Sequence, residues 1–255
     1  MRRTPRPFVS WRSRAWEASE LVTNLILIPG FWLDGPSWSE VISPLEAAGH
    51  RVRALTLPGR EWHDADRSGI GLRDHVDAVI NAVDAVEEPP VLVGHSGGGA
   101  VAHAAADARP DRIARVVYVD AVPLGHGQSI NDELPVVDDE IPLPDWSLFD
   151  ETSLRDLDDR LRSAFRLRAV PEPRGVAYDA QVLSDDRRYD VPATVIACEY
   201  PSTQLRAWIE EGDAYVSELA ALRDLEYIDV PTGHWPQFTK PAELAEAILE
   251  AVDRH

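Results

Sequence analysis

The sequence is 255 residues long, and 44 acidic residues against 25 lysines and arginines give it a formal net charge of −19 at pH 7. This charge repels nucleic-acid phosphates and anionic lipids, so we expect neither nucleic acid nor a membrane as a partner. Cys198 is the only cysteine, which excludes an intramolecular disulfide and a cysteine metal cluster. No segment has the roughly 20 apolar residues of a membrane span, and we expect a cytoplasmic protein.

Short apolar strands alternate with helical patterns along the chain, which is typical of a mostly parallel sheet with helices on both faces. Residues 1–20 carry no clear pattern, and residues 1–23 are predicted to form an N-terminal extension. The first part of the core is predicted to hold strands at 25–29, 51–57 and 91–93 and helices at 36–48, 72–86 and 99–108.

After a strand predicted at 115–121 the regular pattern stops. Residues 123–190 contain many prolines and acidic residues, and only 153–168 shows a helical stripe. We interpret 123–190 as a helical cap insertion that lies over the sheet; a long solvated loop with one helix is the alternative. Strands at 193–198 and 225–230 and helices at 204–222 and 241–252 complete a core made of 24–122 and 191–255.

The strongest functional motif is Gly94-His95-Ser96-Gly97-Gly98, which fits Gly-x-Ser-x-Gly and lies between a predicted strand and a predicted helix. A serine at such a sharp turn projects its Oγ above the carboxyl end of the sheet, and glycine neighbours let the backbone pass without a clash. The N–H of Gly97 then points at the place where an oxyanion would form. Ser96 is therefore the candidate nucleophile. A phosphate-binding loop is disfavoured, because the lysine that it needs is absent.

With this motif the sequence resembles the α/β-hydrolase superfamily, and most closely its small esterase and hydroxynitrile-lyase-like group. The resemblance covers nearly the whole chain from about residue 24. It rests on residues 27–32, the turn at 94–98, residues 117–123 and the pair at 233–234.

The resemblance implies an α/β-hydrolase fold with His234 as the general base, after the last strand. It also implies that the N–H of Phe31 is a second oxyanion donor beside that of Gly97. Where the family usually has His-Gly, this chain has Pro29 and Gly30. Because a main-chain donor survives a change of side chain, this departure leaves the oxyanion site intact.

Two carboxylates are candidates for the acid that orients His234. The family's commonest acid follows the strand predicted at 193–198, but this chain has Glu199 there and Tyr200 at the aspartate position. A shift of one residue in an extended segment turns a side chain to the opposite face. Asp120 ends the strand after the nucleophile helix, at the same sheet edge as Ser96, and some family members place their acid there. We favour Asp120 and keep Glu199 as the alternative.

Trp32, Trp146 and Trp235 are predicted near the oxyanion loop, in the cap and beside the base, where an aromatic-lined pocket would suit a hydrophobic ester or lactone. Packing between cap and core is the alternative for each of these residues.

We therefore predict a serine hydrolase of carboxylesterase or lactonase type, which acts on a small hydrophobic molecule through a Ser-His-Asp triad and an acyl-enzyme. No metal and no cofactor are expected, and the protein is expected to be a monomer or a homodimer. The alternative is a non-hydrolytic member of the fold, either a ligand sensor or a cofactor-free lyase or rearrangement catalyst, because fold alone does not settle function.

Overall fold

A computed structural model describes residues 22–254, so the predicted extension at 1–23 lies almost entirely outside the described residues. The strands in chain order are β1 (Asn24–Ile28), β2 (Arg51–Ala54), β3 (Val91–His95), β4 (Arg115–Val119), β5 (Glu140–Ile141), β6 (Glu172–Pro173), β7 (Ala193–Ala197) and β8 (Leu225–Asp229). Six of them form one sheet in the order β2-β1-β3-β4-β7-β8, and every neighbouring pair is parallel. The short strands β5 and β6 pair with each other separately.

Helices cover both faces of this sheet. In chain order they are α1 (Ser39–Ala47), α2 (Leu72–Asp84), α3 (Gly97–Ala108), α4 (Asp159–Arg168), α5 (Arg174–Tyr178), α6 (Ser202–Glu211), α7 (Ser217–Ala221), α8 (Pro236–Thr239) and α9 (Pro241–Asp253).

The alternation of side chains along β1 separates two hydrophobic cores. Leu25 and Leu27 belong to the core that α1 and α9 cover, whereas Ile26 and Ile28 belong to the core that α2 and α3 cover. All four side chains are almost fully buried. This explains why the strand is apolar along its whole length, as expected of a parallel strand with both faces covered. The predicted fold class, a parallel sheet between two helical layers, is confirmed.

Two predicted helices have different limits in the structure. The helix predicted at 153–168 begins only at Asp159, because the carbonyl groups of Ser153 and Arg155 accept hydrogen bonds from the N–H groups of His234 and Gly233 instead. The helix predicted at 204–222 is interrupted at Gly212, which has a left-handed φ of 74°. Tertiary contacts in the first case, and a glycine at the helix C-terminus in the second, thus set limits that differ from those predicted by the apolar periodicity.

Residues 123–190 connect β4 to β7 and contain β5, α4, β6 and α5. Their buried side chains, among them Ile141, Leu157 and Phe165, belong to the same core as α2 and α3. The segment is therefore packed against the rest of the protein. Within residues 22–254, no helix combines the length and the apolar character that crossing a bilayer requires.

The turn between β3 and α3 is packed too tightly for side chains at two of its glycines. A Cβ added to Gly94 would lie 2.5 Å from the carbonyl oxygen of Gly98, and one added to Gly98 would lie 2.5 Å from that of Ile28. Both obstacles are backbone atoms, which cannot move without displacing β1 or α3. The turn therefore depends on close approach of main chains.

We expect Gly94→Ala to lower the free energy of unfolding by about 1–3 kcal/mol, the usual cost of overpacking a core. Chemical denaturation followed by circular dichroism measures the change. Gly125→Ala is the control, because the atoms nearest to its added Cβ belong to the side chains of Gln128 and Glu218 and not to the backbone. Equal stability of the two variants would contradict the tight-turn interpretation.

Candidate active site

Ser96 lies between the end of β3 and the start of α3, where the chain turns sharply. Its backbone has φ 51° and ψ −126°, a conformation that is strained for any residue with a Cβ. The N–H of Ser96 donates to the carbonyl of Val119 at 3.1 Å, which ties the turn to the end of β4. The Oγ atom is held at the carboxyl end of the sheet, as the motif predicts.

The structure brings Ser96, His234 and Asp120 into one hydrogen-bonded chain. The distance from Ser96 Oγ to His234 Nε2 is 2.8 Å, and the distance from His234 Nδ1 to Asp120 Oδ2 is 2.6 Å. A carboxylate beside Nδ1 fixes the neutral tautomer that carries its proton there, so Nε2 is free to accept the proton of the serine. The three residues are separated by up to 138 positions in sequence and meet only through the fold.

Asp120 is fixed by more than its contact with His234. Its Oδ1 accepts the N–H groups of Cys198 and Glu199 at 3.2 and 2.8 Å, and only 8% of its side chain is exposed. Its own φ is 43°, which turns the carboxylate away from the β4 ladder. Asp120 therefore bridges the end of β7 and the histidine loop.

Glu199 is the second carboxylate at the site, and it has a different set of partners. Its Oε1 accepts the hydroxyl groups of Thr152 and Ser153 at 3.0 and 2.8 Å. Its Oε2 lies 3.7 Å from His234 Nδ1, beyond hydrogen-bond distance. Of the two candidate acids, the structure places Asp120 in hydrogen-bond contact with the histidine and Glu199 beside it.

The two carboxylates change the pKa of the histidine. Burial by itself would lower the pKa of His234, but the hydrogen bond and charge of Asp120, together with the charge of Glu199, outweigh it and raise that pKa. Burial likewise works to raise the pKa of Asp120, yet His234 and the N–H of Glu199 lower it. Asp120 is therefore ionised at neutral pH, and the protonated form of His234 is stabilised.

His95 contacts the main chain of His234, an interaction that the sequence did not reveal. Its Nε2 lies 2.7 Å from the carbonyl oxygen of His234, and its Nδ1 lies 3.3 Å from the side-chain amide of Gln237. Burial lowers the pKa of His95 to about 3, with a further contribution from the charge of His234. As a neutral imidazole, His95 donates from Nε2 to the backbone of the histidine loop.

The predicted oxyanion donors lie beside the serine. Gly97 is the first residue of α3, so its N–H has no acceptor within the helix. Phe31 follows β1, and a Cβ added to Gly97 would lie 2.9 Å from the Phe31 ring. The two loops that carry these N–H groups are therefore in direct contact. Their role toward an oxyanion stays a prediction.

A cavity of about 590 Å³ opens beside Ser96 and His234. Its lining is mixed, with apolar side chains on several sides and a few polar groups. The larger apolar and aromatic side chains among the lining residues are Val122, Leu124, Ile130 and Tyr215. Val122 and Tyr215 also line a much smaller hole of about 60 Å³ beside Asp120.

The structure does not bring the three predicted tryptophans to this cavity, whose lining contains none of them. Trp146 packs edge-on against Trp235 with 5.8 Å between ring centroids, and both contact Phe149 and Phe165. Trp32 joins the same cluster through Phe149 and donates from Nε1 to the carbonyl of Ile141. This placement favours packing between 123–190 and the core over contact with a substrate.

Within residues 22–254, one group of side chains has the composition and spacing of a metal site, namely Asp120, Glu199 and His234, with ligand atoms within 4.8 Å of one another. These atoms already have protein partners. Coordination at His234 Nδ1 would displace the proton that Asp120 accepts, so the arrangement fits a charge-assisted hydrogen bond better than an ion.

Comparison with known proteins is consistent with this geometry. A model of the alpha/beta hydrolase family matches residues 25–247, and the chain belongs to this family. The chain is 26% identical to a pyrethroid hydrolase of Sphingobium wenxiniae, over 91% of this chain and 88% of the relative. It is also 26% identical to methylesterase 7 of Arabidopsis thaliana, over 91% and 97%.

Among solved structures, an extracellular alpha/beta-hydrolase from a Paenibacillus species matches with a TM-score of 0.73 at 23% identity, over 90% of this chain and 98% of that one. The methylesterase MES16 from Arabidopsis matches with a TM-score of 0.72 at 17% identity, over 92% and 100%. At these identities the similarity establishes the fold.

We expect the pKa of the His234 imidazole to fall in Glu199→Gln, because the substitution removes a negative charge that stabilises the protonated ring. Titration of the ring by nuclear magnetic resonance measures this directly. Asp213→Asn is the control, because its carboxylate caps the N–H of Tyr215 in an exposed turn. An unchanged His234 titration in Glu199→Gln would show that Glu199 does not act on the base.

Proposed function

We propose that this protein is a serine hydrolase that cleaves a carboxylic ester or lactone of a small hydrophobic molecule. The observation that carries the proposal is the continuous hydrogen-bonded chain from Ser96 Oγ through His234 to Asp120. A nucleophile, a base and an orienting carboxylate in this order are what acyl transfer requires. The names of relatives such as methylesterase 7 also favour an ester over other acyl substrates.

In the proposed reaction His234 Nε2 takes the proton of Ser96 as Oγ attacks the carbonyl carbon. The N–H groups of Gly97 and Phe31 stabilise the resulting oxyanion. His234 then returns the proton to the alcohol oxygen as the carbon–oxygen bond breaks, which leaves an acyl group on Ser96. Water attacks this acyl-enzyme as His234 takes its proton. His234 then returns that proton to Ser96 Oγ as the bond between Oγ and the acyl carbon breaks, and the acid product leaves. Asp120 stabilises the imidazolium in both halves of the reaction.

The apolar side chains at the cavity, such as Leu124 and Ile130, support a hydrophobic acyl or alcohol group. Residues 123–132 supply much of this lining, and we propose on that ground that the 123–190 segment acts as a cap over the site. The remainder, 24–122 and 191–255, would then be the hydrolase core.

We expect Ser96→Ala to abolish hydrolysis of p-nitrophenyl butyrate and Asp120→Asn to lower kcat by roughly 10²–10⁴-fold, because loss of the carboxylate removes the correct histidine tautomer. Glu199→Gln should stay within about tenfold of the parent at a pH where His234 is neutral, and it serves as the matched carboxylate control. Steady-state kinetics with all four proteins decides the question.

Two results would contradict parts of the proposal. Collapse of Glu199→Gln with a mild loss in Asp120→Asn would assign the acid to Glu199. A parent as inactive as Ser96→Ala on activated esters would favour a ligand sensor or a cofactor-free lyase on the same fold.

A further inference from the structure

A buried ion pair lies behind the loop that follows β1. Arg60 comes from the chain after β2 and Glu172 from β6, and their side chains are only 2% and 0% exposed. Arg60 donates to Glu172 Oε1 from both Nε and Nη2, at 3.2 and 2.5 Å. Neither residue belongs to the hydrogen-bonded chain of Ser96, His234 and Asp120, and neither lines the cavity.

Both charged groups also bind the backbone of the 29–33 loop. Arg60 Nη1 donates to the carbonyl groups of Gly30 at 2.7 Å and Leu33 at 3.2 Å. Glu172 Oε2 accepts the N–H of Trp32 at 3.4 Å. Arg60 thus binds carbonyl groups of this short loop and Glu172 binds one of its N–H groups. These groups lie on either side of Phe31 in the sequence.

The loop needs to be held because its backbone is strained. Trp32 has a φ of 63°, in the left-handed region that a bulky residue avoids. Without external contacts the loop would relax, and the N–H of Phe31 would change direction with it. The 123–190 segment, which carries Glu172, holds this loop at a further point. The N–H of Val170 donates to the carbonyl of Trp32 at 3.1 Å.

Stability alone does not explain an ion pair at this depth. Burial raises the pKa of Glu172 despite the opposing charge of Arg60, which shows the cost of keeping the carboxylate ionised there. Replacing buried ion pairs by apolar residues is often neutral or stabilising. The directional hydrogen bonds to the loop are what an apolar pair cannot supply.

We propose that Arg60 and Glu172 are positioning residues that hold the 29–33 loop so that the N–H of Phe31 faces the oxyanion formed at Ser96. This inference rests on the proposed hydrolase function. It assigns to the pair an effect on the rate of acyl transfer that is separate from its effect on folding.

The test compares Glu172→Gln and the double variant Arg60→Met/Glu172→Leu with the parent. The double variant leaves no unpaired buried charge, so it keeps the test decisive if Glu172→Gln folds poorly. Asp107→Asn is the control, since it breaks a similarly buried pair with Arg188, both side chains being 6% exposed. The partners of Asp107 are Arg188, the hydroxyl group of Ser184 and the backbone N–H groups of Ser184 and Asp185.

Two rates are measured for each folded protein, namely kcat for p-nitrophenyl butyrate and the inactivation rate of Ser96 by a fluorophosphonate probe, which also needs the oxyanion donors. Misdirecting one donor should lower both rates by about 10- to 1,000-fold relative to the control, with KM changed less than threefold. Hydrogen exchange at 29–33 should accelerate in the same variants.

Rates within threefold of Asp107→Asn in the folded variants would overturn the positioning role, whatever their melting temperatures. If the parent hydrolyses no ester but is labelled at Ser96, the proposed function fails and the labelling rates alone decide the role of the pair. A parent that is also unlabelled overturns both proposals.

Discussion

The site depends on one contact, the short hydrogen bond between Asp120 and His234. It joins three loops at the same edge of the sheet, because Asp120 follows β4, its other oxygen holds the N–H groups of Cys198 and Glu199 after β7, and His234 follows β8. Parallel strands bring these loop ends together by geometry alone. A single carboxylate therefore binds the imidazole of His234 and also fixes the loop where the family commonly carries its acid.

Three of the six non-glycine residues with positive φ in the described part of the chain lie at this edge. Trp32, Ser96 and Asp120 all have positive φ, and they follow β1, β3 and β4, three adjacent strands of the sheet. Each such residue costs on the order of 1–3 kcal/mol, which the two buried cores must offset. The three turns place the backbone beside Phe31, the hydroxyl group of Ser96 and the carboxylate of Asp120 at the ends of their strands.

The sequence predicts the sheet and the turn at Ser96, because short apolar runs and strand ends are local patterns, and the family resemblance adds the meeting of Asp120 with His234. Prediction from the sequence is wrong or silent where contacts between distant residues determine the structure. The helix predicted at 153–168 starts late because its first carbonyl groups bind the histidine loop. Arg60 and Glu172 are 112 residues apart in the sequence, and no local pattern predicts that either residue is buried.

The 123–190 segment has a consequence for protein engineering. It contacts the base loop through Ser153 and Arg155, and it contacts the loop after β1 through Val170 and Glu172. The segment is therefore not an exchangeable module that only lines the cavity. A chimera that replaces this segment with that of a relative would also replace its contacts with the histidine loop and with the loop after β1. Grafts that retain these four positions are expected to keep those contacts while the cavity wall at 123–132 is varied.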